Sequence, residues 1–189
     1  MGRPGAKDRI LETAGKLFAE RGYSAVGINE IIEKSETAKA TFYHHFSTKE
    51  ALCETWLSEI HERSEQRHQG ILDSPSTPGE KLAEYFDGLQ NYLESNAFRG
   101  CPYTNTATVA SSCELKICQQ VEQHKFFLRD FFRDLAKSFT ASGNRAREVG
   151  DSLFLLYSGA SSEAQNLRTT WPVEAAKRAA IEIYEKEKE

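Results

Sequence analysis

The sequence predicts an all-α fold of about nine helices. Apolar residues recur at spacings of three and four through nearly every long segment, and no segment sustains a period of two with β-branched residues. The segments are separated by short breaks rich in Gly, Pro, Ser and Thr, which punctuate helices rather than form long tethers. A chain of 189 residues with 39% hydrophobic and 28% charged residues can bury a sizeable core in one or two domains.

The first helix is expected from about Lys7 to Glu20, with Ile10, Ala14, Leu17 and Phe18 on one stripe and Gly22 as its C-terminal stop. A second begins near Ile28, and a short third covers about Lys39–His45. A long fourth helix opens at Ser47-Thr48-Lys49-Glu50, where Ser47 and Glu50 have capping-box spacing, and runs to about Asp73. Ser74-Pro75-Ser76-Thr77-Pro78-Gly79 is the clearest break. Further helices follow at about 79–95, from Pro102 onward, at about 114–141, 144–169 and 172–188. Residues 1–50 are expected to form one domain and 51–189 a second, with a connecting helix at about 48–73.

Net charge is −4, which excludes a uniformly basic coat but not a local basic face. Residues 1–50 hold eight Lys and Arg against seven Asp and Glu, so the remaining 16 basic and 21 acidic residues leave the rest of the chain acidic. Within the first domain, residues 28–46 read as two short helices joined by a tight turn. Ile28, Ile31 and Ile32 turn the first inward, and Phe42 and Phe46, four apart, turn the second inward. The opposite face of the second helix then presents Lys39, Thr41, Tyr43, His44 and His45. Lys and His can donate to base edges or phosphates, and Thr and Tyr hydroxyls suit phosphate oxygens, so this face fits the major groove of double-stranded DNA.

Phe18-Ala19-Glu20-Arg21-Gly22-Tyr23, Glu30-Ile31-Ile32 and the run Ala40-Thr41-Phe42-Tyr43-His44-His45-Phe46-Ser47-Thr48-Lys49-Glu50-Ala51-Leu52 resemble the TetR family of bacterial transcriptional repressors over about the first 55 residues. The resemblance implies an N-terminal three-helix helix-turn-helix DNA-binding domain and a C-terminal helical ligand-binding and dimerisation domain. By position it assigns base-edge contacts to Lys39 and His44 and phosphate contacts to Thr41, Tyr43 and Lys49, with Arg3 and Lys7 adding contacts from the N-terminal arm. The chain departs from the family at the turn, where Glu36 and Ala38 stand in place of the usual glycine and capping serine. Thr37 is the hydroxyl left to serve there, and it joins the DNA-facing set.

The resemblance also implies a small-molecule effector, unidentified, bound among the aromatics of residues 79–170. Tyr85, Tyr103, Asn105, Phe127, Phe131 and Tyr157 are the expected lining. The last two helices are rich in small residues, which suits close helix packing and a homodimer interface. The family's mechanism would be release of a repressor from a palindromic operator.

Two other readings stay open. A regulator of the same fold could be switched through Cys101, Cys113 or Cys118, although all four cysteines are expected to be free thiols in a reducing compartment. A helical protein that does not bind DNA is the other. No nucleophile–base set suggests an enzyme, and no cofactor is expected. Adjacent helical residues such as His44 and His45 point about 100° apart and suit no shared metal. No apolar run approaches the ~18 residues needed to cross a membrane, and the short polar N-terminus lacks a secretory pattern, so a cytoplasmic location is expected.

Overall fold

The computed structural model describes residues 4–109 and 115–188. Arg3 and Cys113 lie outside the described residues. Among these residues there are nine helices and no strand: α1 (Ala6–Arg21), α2 (Ile28–Lys34), α3 (Lys39–His45), α4 (Lys49–Asp73), α5 (Pro78–Ser95), α6 (Pro102–Val109), α7 (Leu115–Ala136), α8 (Gly143–Leu167) and α9 (Trp171–Glu187). The chain divides into two compact units, one of residues 1–63 and 102–123 and one of residues 64–101 and 124–189.

In the first unit α1 packs on α2 and α3, and α2 on α3. The stripe expected on α1 is buried: Ile10, Ala14, Leu17 and Phe18 are each at most 4% exposed. Gly22 ends α1 with φ 82, a backbone angle that only glycine adopts without strain, and its N–H donates to Phe18 O. Phe18 stacks edge-on against Trp56 of α4. The start of α4 differs from expectation by one residue. Thr48 Oγ1 accepts the Ala51 N–H, whereas the Glu50 carboxylate accepts from the Tyr23 hydroxyl at 3.0 Å instead of closing a box with Ser47.

In the second unit α9 packs on α5 and α8, and α5 on α8. Its core joins Leu82, Phe86 and Leu93 of α5, Phe132 and Leu135 of α7, Leu153 of α8 and Val173 of α9, each fully or nearly fully buried. Thr77 caps α5 in a complete capping box with Glu80, and Pro78 occupies the first turn. Helices α7 and α8 approach closely at Gly150, where an added Cβ would stand 2.5 Å from the Arg133 backbone. That approach lets Asp151 accept from both Arg129 and Arg133, at 2.6–3.1 Å.

Helix α7 ends at Ala136, five residues before the expected Ala141. The apolar spacing carries on through Phe139, but Ser138 Oγ donates back to Leu135 O and Thr140 Oγ1 to Ala136 O. Hydroxyls that bond to nearby carbonyls offer the chain an alternative to another helical turn.

Candidate functional site

The recognition face is built by α3. Phe42 and Phe46 are 0% and 3% exposed and anchor the helix, and Tyr43, between them in sequence, is 45% exposed. Lys39, His44 and His45 are exposed beside it, and Thr41 is half-buried. The Phe42 ring meets Tyr43 edge-on at 5.3 Å, so the buried ring sets the angle of the exposed one. Helix α3, with Phe46 just after it, therefore combines an aromatic anchor with a face of hydrogen-bond donors.

The turn before α3 shows the cost of its atypical sequence. Glu36 has φ 50, the left-handed conformation that glycine takes most easily. Ala38 caps α3 with no side-chain hydrogen bond. Thr37 does not replace the missing cap; its Oγ1 bonds to Ser35 Oγ at 2.9 Å, and it remains half-buried.

Lys49, expected to reach a phosphate, has its ammonium engaged inside the unit. It donates to Tyr23 O at 3.2 Å and Val26 O at 3.1 Å, and stands 4.3 Å from the centre of the Tyr23 ring. Glu30 beside the motif is held below the ordinary carboxylate range by hydrogen bonds from Arg21 and Lys34. Two of the local acids therefore carry partners: Glu30 has these cations, and Glu50 has the Tyr23 hydroxyl.

A cavity of about 610 Å³ in the second unit lies between α4 and α7. Phe127, Phe131 and His68 line it with Leu72, and Glu65, Gln66, Gln69, Asp130 and Asp134 supply polar groups. Two of the six sequence-predicted ligand residues, Phe127 and Phe131, are therefore on its wall. Tyr85 and Tyr157 stand behind His68. The His68 Nδ1–H donates to Ser64 O at 2.5 Å, since a carbonyl oxygen can only accept, and Nε2 is hydrogen-bonded to the Tyr85 hydroxyl at 2.6 Å. Tyr85 and Tyr157 share a hydrogen bond, and burial raises both phenols above their ordinary range. Tyr103 and Asn105 belong to the first unit. There the Tyr103 hydroxyl donates to Leu57 O at 2.5 Å, and Tyr103 lines a separate cavity of about 200 Å³ with His61, Gln120 and Gln123.

Sequence reasoning did not find His68. It sits in a polar stretch of α4, yet it is 5% exposed, with its ring edge-on to Tyr85, Phe127 and Phe131. Nothing local marks it, because all three aromatic partners come from other helices.

Helices α8 and α9 leave an open groove of about 840 Å³ lined by Leu155, Leu156, Gly159, Ala160, Ala175 and Ala179 among others. On it Leu155 is 66% and Trp171 56% exposed, large apolar surface for a side chain in water. Cys53 is buried and Cys101 half-buried, both as thiols, whereas Cys118 is disulfide-bonded. The expectation of four free thiols therefore fails at Cys118. It rested on compartment, which says nothing about which sulfurs lie close enough to pair. Among the described residues no group of three His, Cys, Asp or Glu side chains is placed to hold a metal, and no helix is long and apolar enough to cross a membrane.

The sequence matches the bacterial regulatory proteins of the tetR family over residues 10–55. Over 184 residues it is 24% identical to the HTH-type transcriptional repressor NemR of Escherichia coli K12, covering 90% of this chain and 89% of NemR. It is 34% identical over 80 residues to the HTH-type transcriptional repressor KstR2 of Mycolicibacterium smegmatis, a stretch that is 42% of this chain and only 39% of that protein. The fold superposes on the crystal structure of a TetR-family transcriptional regulator from Streptomyces coelicolor with a TM-score of 0.88, at 22% identity, covering 97% of this chain and 96% of that one. The family match spans the helix-turn-helix and the fold is shared over nearly the whole chain, and together these comparisons support a DNA-binding transcriptional regulator of the TetR family.

Proposed function

We propose that the protein is a homodimeric repressor that leaves a palindromic operator when a small molecule binds its second unit. The observation that carries the reading is the exposure of Lys39, Tyr43 and His44 on α3 while Phe42 and Phe46 anchor that helix. In this reading Lys39 and His44 meet base edges, Tyr43 and Thr41 hold phosphates, and Thr37 stabilises the turn. Lys49 acts from behind by fixing the loop before α2, and Arg3 reaches DNA from the arm. Residues 1–50 serve DNA binding and 51–189 serve the effector and the partner subunit.

The α8–α9 groove, with Leu155 and Trp171, supports pairing of two copies through the last two helices. A dimer would space its recognition helices about 34–36 Å apart, one turn of DNA. The aromatic cavity beside His68 supports the effector site. Its size falls within the range of about 300–1,000 Å³ usual for small-molecule pockets. The cavity lies against the C-terminal half of α4, whose N-terminal half carries Lys49 and Trp56. An effector shifts the DNA-bound population only by binding the two states differently. The test is a mobility-shift assay on DNA flanking the protein's own gene, with and without candidate effectors. A retarded band that effector abolishes is the expected result, and absence of any band across that DNA and a random-sequence selection contradicts the reading.

The disulfide at Cys118 favours one second reading, a regulator of the same fold switched by thiol oxidation. DNA binding that changes between reductant and oxidant in the wild type, but not in a cysteine-free variant, would establish it. Equal binding under both conditions excludes it.

A further inference from the structure

The cavity of about 610 Å³ between α4 and α7 has an apolar floor and an acidic rim. Phe127, Phe131 and Leu72 supply the floor. His68 adds only ring carbon, because Nδ1 donates to Ser64 O and Nε2 is bonded to the Tyr85 hydroxyl. The rim carries Glu65 of α4 and, one turn apart on α7, Asp130 and Asp134, all three exposed. Among the described residues no Lys or Arg lines the cavity.

The two aspartates have partners on their own helix. Arg133 Nη1 reaches Asp130 Oδ1 at 3.3 Å, and the Lys137 ammonium reaches Asp134 Oδ1 at 2.6 Å. Neither pair cancels the charge of the wall. Arg133 directs Nε and Nη2 to Asp151, at 2.7 and 3.1 Å, and Lys137 and Asp134 are each more than half exposed, where water screens an ion pair. Each aspartate keeps Oδ2 for a further donor. A ligand seated between the helices displaces water and feels the carboxylates more strongly. A cleft walled by charge of one sign concentrates its field on whatever enters, which favours the opposite sign. Aromatic rings add to that preference, since their π faces attract cations. An anionic ligand would meet three like charges and no cation on the wall to pair with.

We infer that this cavity takes a lipophilic organic cation, an ammonium or phosphonium centre on an aromatic body. Phe127 and Phe131 hold the body, and Asp130, Asp134 and Glu65 select the charge. The inference rests on the effector reading for the cavity's being occupied by a small molecule, and adds the sign of that molecule's charge and the residues that choose it.

The test uses two probes of the same shape and opposite charge, tetraphenylphosphonium and tetraphenylborate, titrated calorimetrically into the full chain at low and high salt. Tetraphenylphosphonium is expected to bind at least about tenfold tighter, with the gap narrowing as salt rises. Asp130→Asn combined with Asp134→Asn is expected to weaken the phosphonium about tenfold without weakening the borate. Both positions are exposed, so thermal midpoints are expected to stay near that of the wild type. Asp87→Asn, which removes a carboxylate paired with Lys177 elsewhere in the unit, is expected to change neither affinity. Phe127→Leu is expected to weaken both probes, because it takes a ring from the floor they share. Equal or tighter binding of the borate, no binding of either probe, unchanged affinities in Phe127→Leu, or as large a loss in Asp87→Asn as in the double variant overturns the inference. The effector reading is judged separately, by adding tetraphenylphosphonium to the operator complex. Binding in the expected order without release of DNA contradicts control through this cavity and leaves its charge preference standing.

Discussion

The Lys49 ammonium stands 4.3 Å from the centre of the Tyr23 ring while donating to the carbonyl oxygen of Tyr23 itself. With its second bond to Val26 O, this one side chain closes the loop between α1 and α2. Hydrogen bonds from a charged donor contribute more than neutral ones, so Lys49→Ala is expected to cost about 2 kcal/mol of stability. Thermal unfolding and the salt slope of DNA binding together check its role. A lowered midpoint with an unchanged slope supports a residue that acts through the loop. A slope lowered by about one, with no change in midpoint, supports a direct phosphate contact instead.

Glu36 occupies a position whose φ of 50 suits glycine. A left-handed conformation costs a residue with a Cβ about 1–2 kcal/mol, and glycine's extra freedom in the unfolded chain offsets part of the relief. Glu36→Gly is expected to raise stability by about 0.5 kcal/mol. It also removes a carboxylate from the DNA-facing side, so affinity at low salt is expected to rise about threefold. Urea unfolding and anisotropy measure the two effects. A destabilised variant would mean that the Glu36 side chain holds the turn by contacts worth more than the strain.

Asp151 accepts from two arginines across the close approach of α7 and α8. Hydrogen bonds from Arg129 and then Arg133 hold its carboxyl far below the usual range. A carboxyl whose folded value is depressed contributes stability above its unfolded pKa of about 3.9, and loses it progressively as pH falls toward the folded value. The group is about one-third exposed, so solvent screens the pair. Asp151→Asn is expected to cost about 1 kcal/mol at pH 7. The gap between wild type and variant should narrow below about pH 4. Denaturant unfolding at neutral and acid pH gives both numbers, and a gap that stays constant contradicts the assignment.

Leu155 is largely exposed on the α8–α9 groove, so changing it touches little of the subunit's own core. Leu155→Glu is expected to yield monomers by light scattering with little change in thermal midpoint. Operator affinity is expected to fall at least about tenfold, because two half-sites would then be held separately. A dimer that survives this change pairs through another surface.

How much could be read from the sequence depends on how local each cause is. The faces of α1 and α3 were legible because periodicity alone decides which side is apolar, and Phe42, Phe46 and Ile10 are buried as their spacing required. The end of α7 was misread because Phe139 continues the apolar spacing while the hydroxyls of Ser138 and Thr140 turn the chain. The capping box at Thr77 and Glu80 was legible in principle, since both residues lie within one turn. Lys49 and His68 were not legible in their observed roles. Apart from Ser64, one turn from His68, their partners lie 17 to 63 positions away and meet them only once the helices pack. Of the ligand-site residues expected, Phe127 and Phe131 reach one cavity, whereas Tyr103 and Asn105 fall in the other unit, because composition marks aromatics without saying which cavity they face.

The central claim is that the outward face of α3 reads DNA, and the most direct measurement compares wild type, Tyr43→Ala and Lys39→Ala against the wild-type operator and its single-base variants. Tyr43→Ala is expected to weaken binding uniformly across sequences. Lys39→Ala is expected to weaken it and to flatten the preference at one base-pair position, where a good contact is worth about 1–3 kcal/mol. Equal loss for both variants with the base preference unchanged, or wild-type affinity retained by both, would contradict the account.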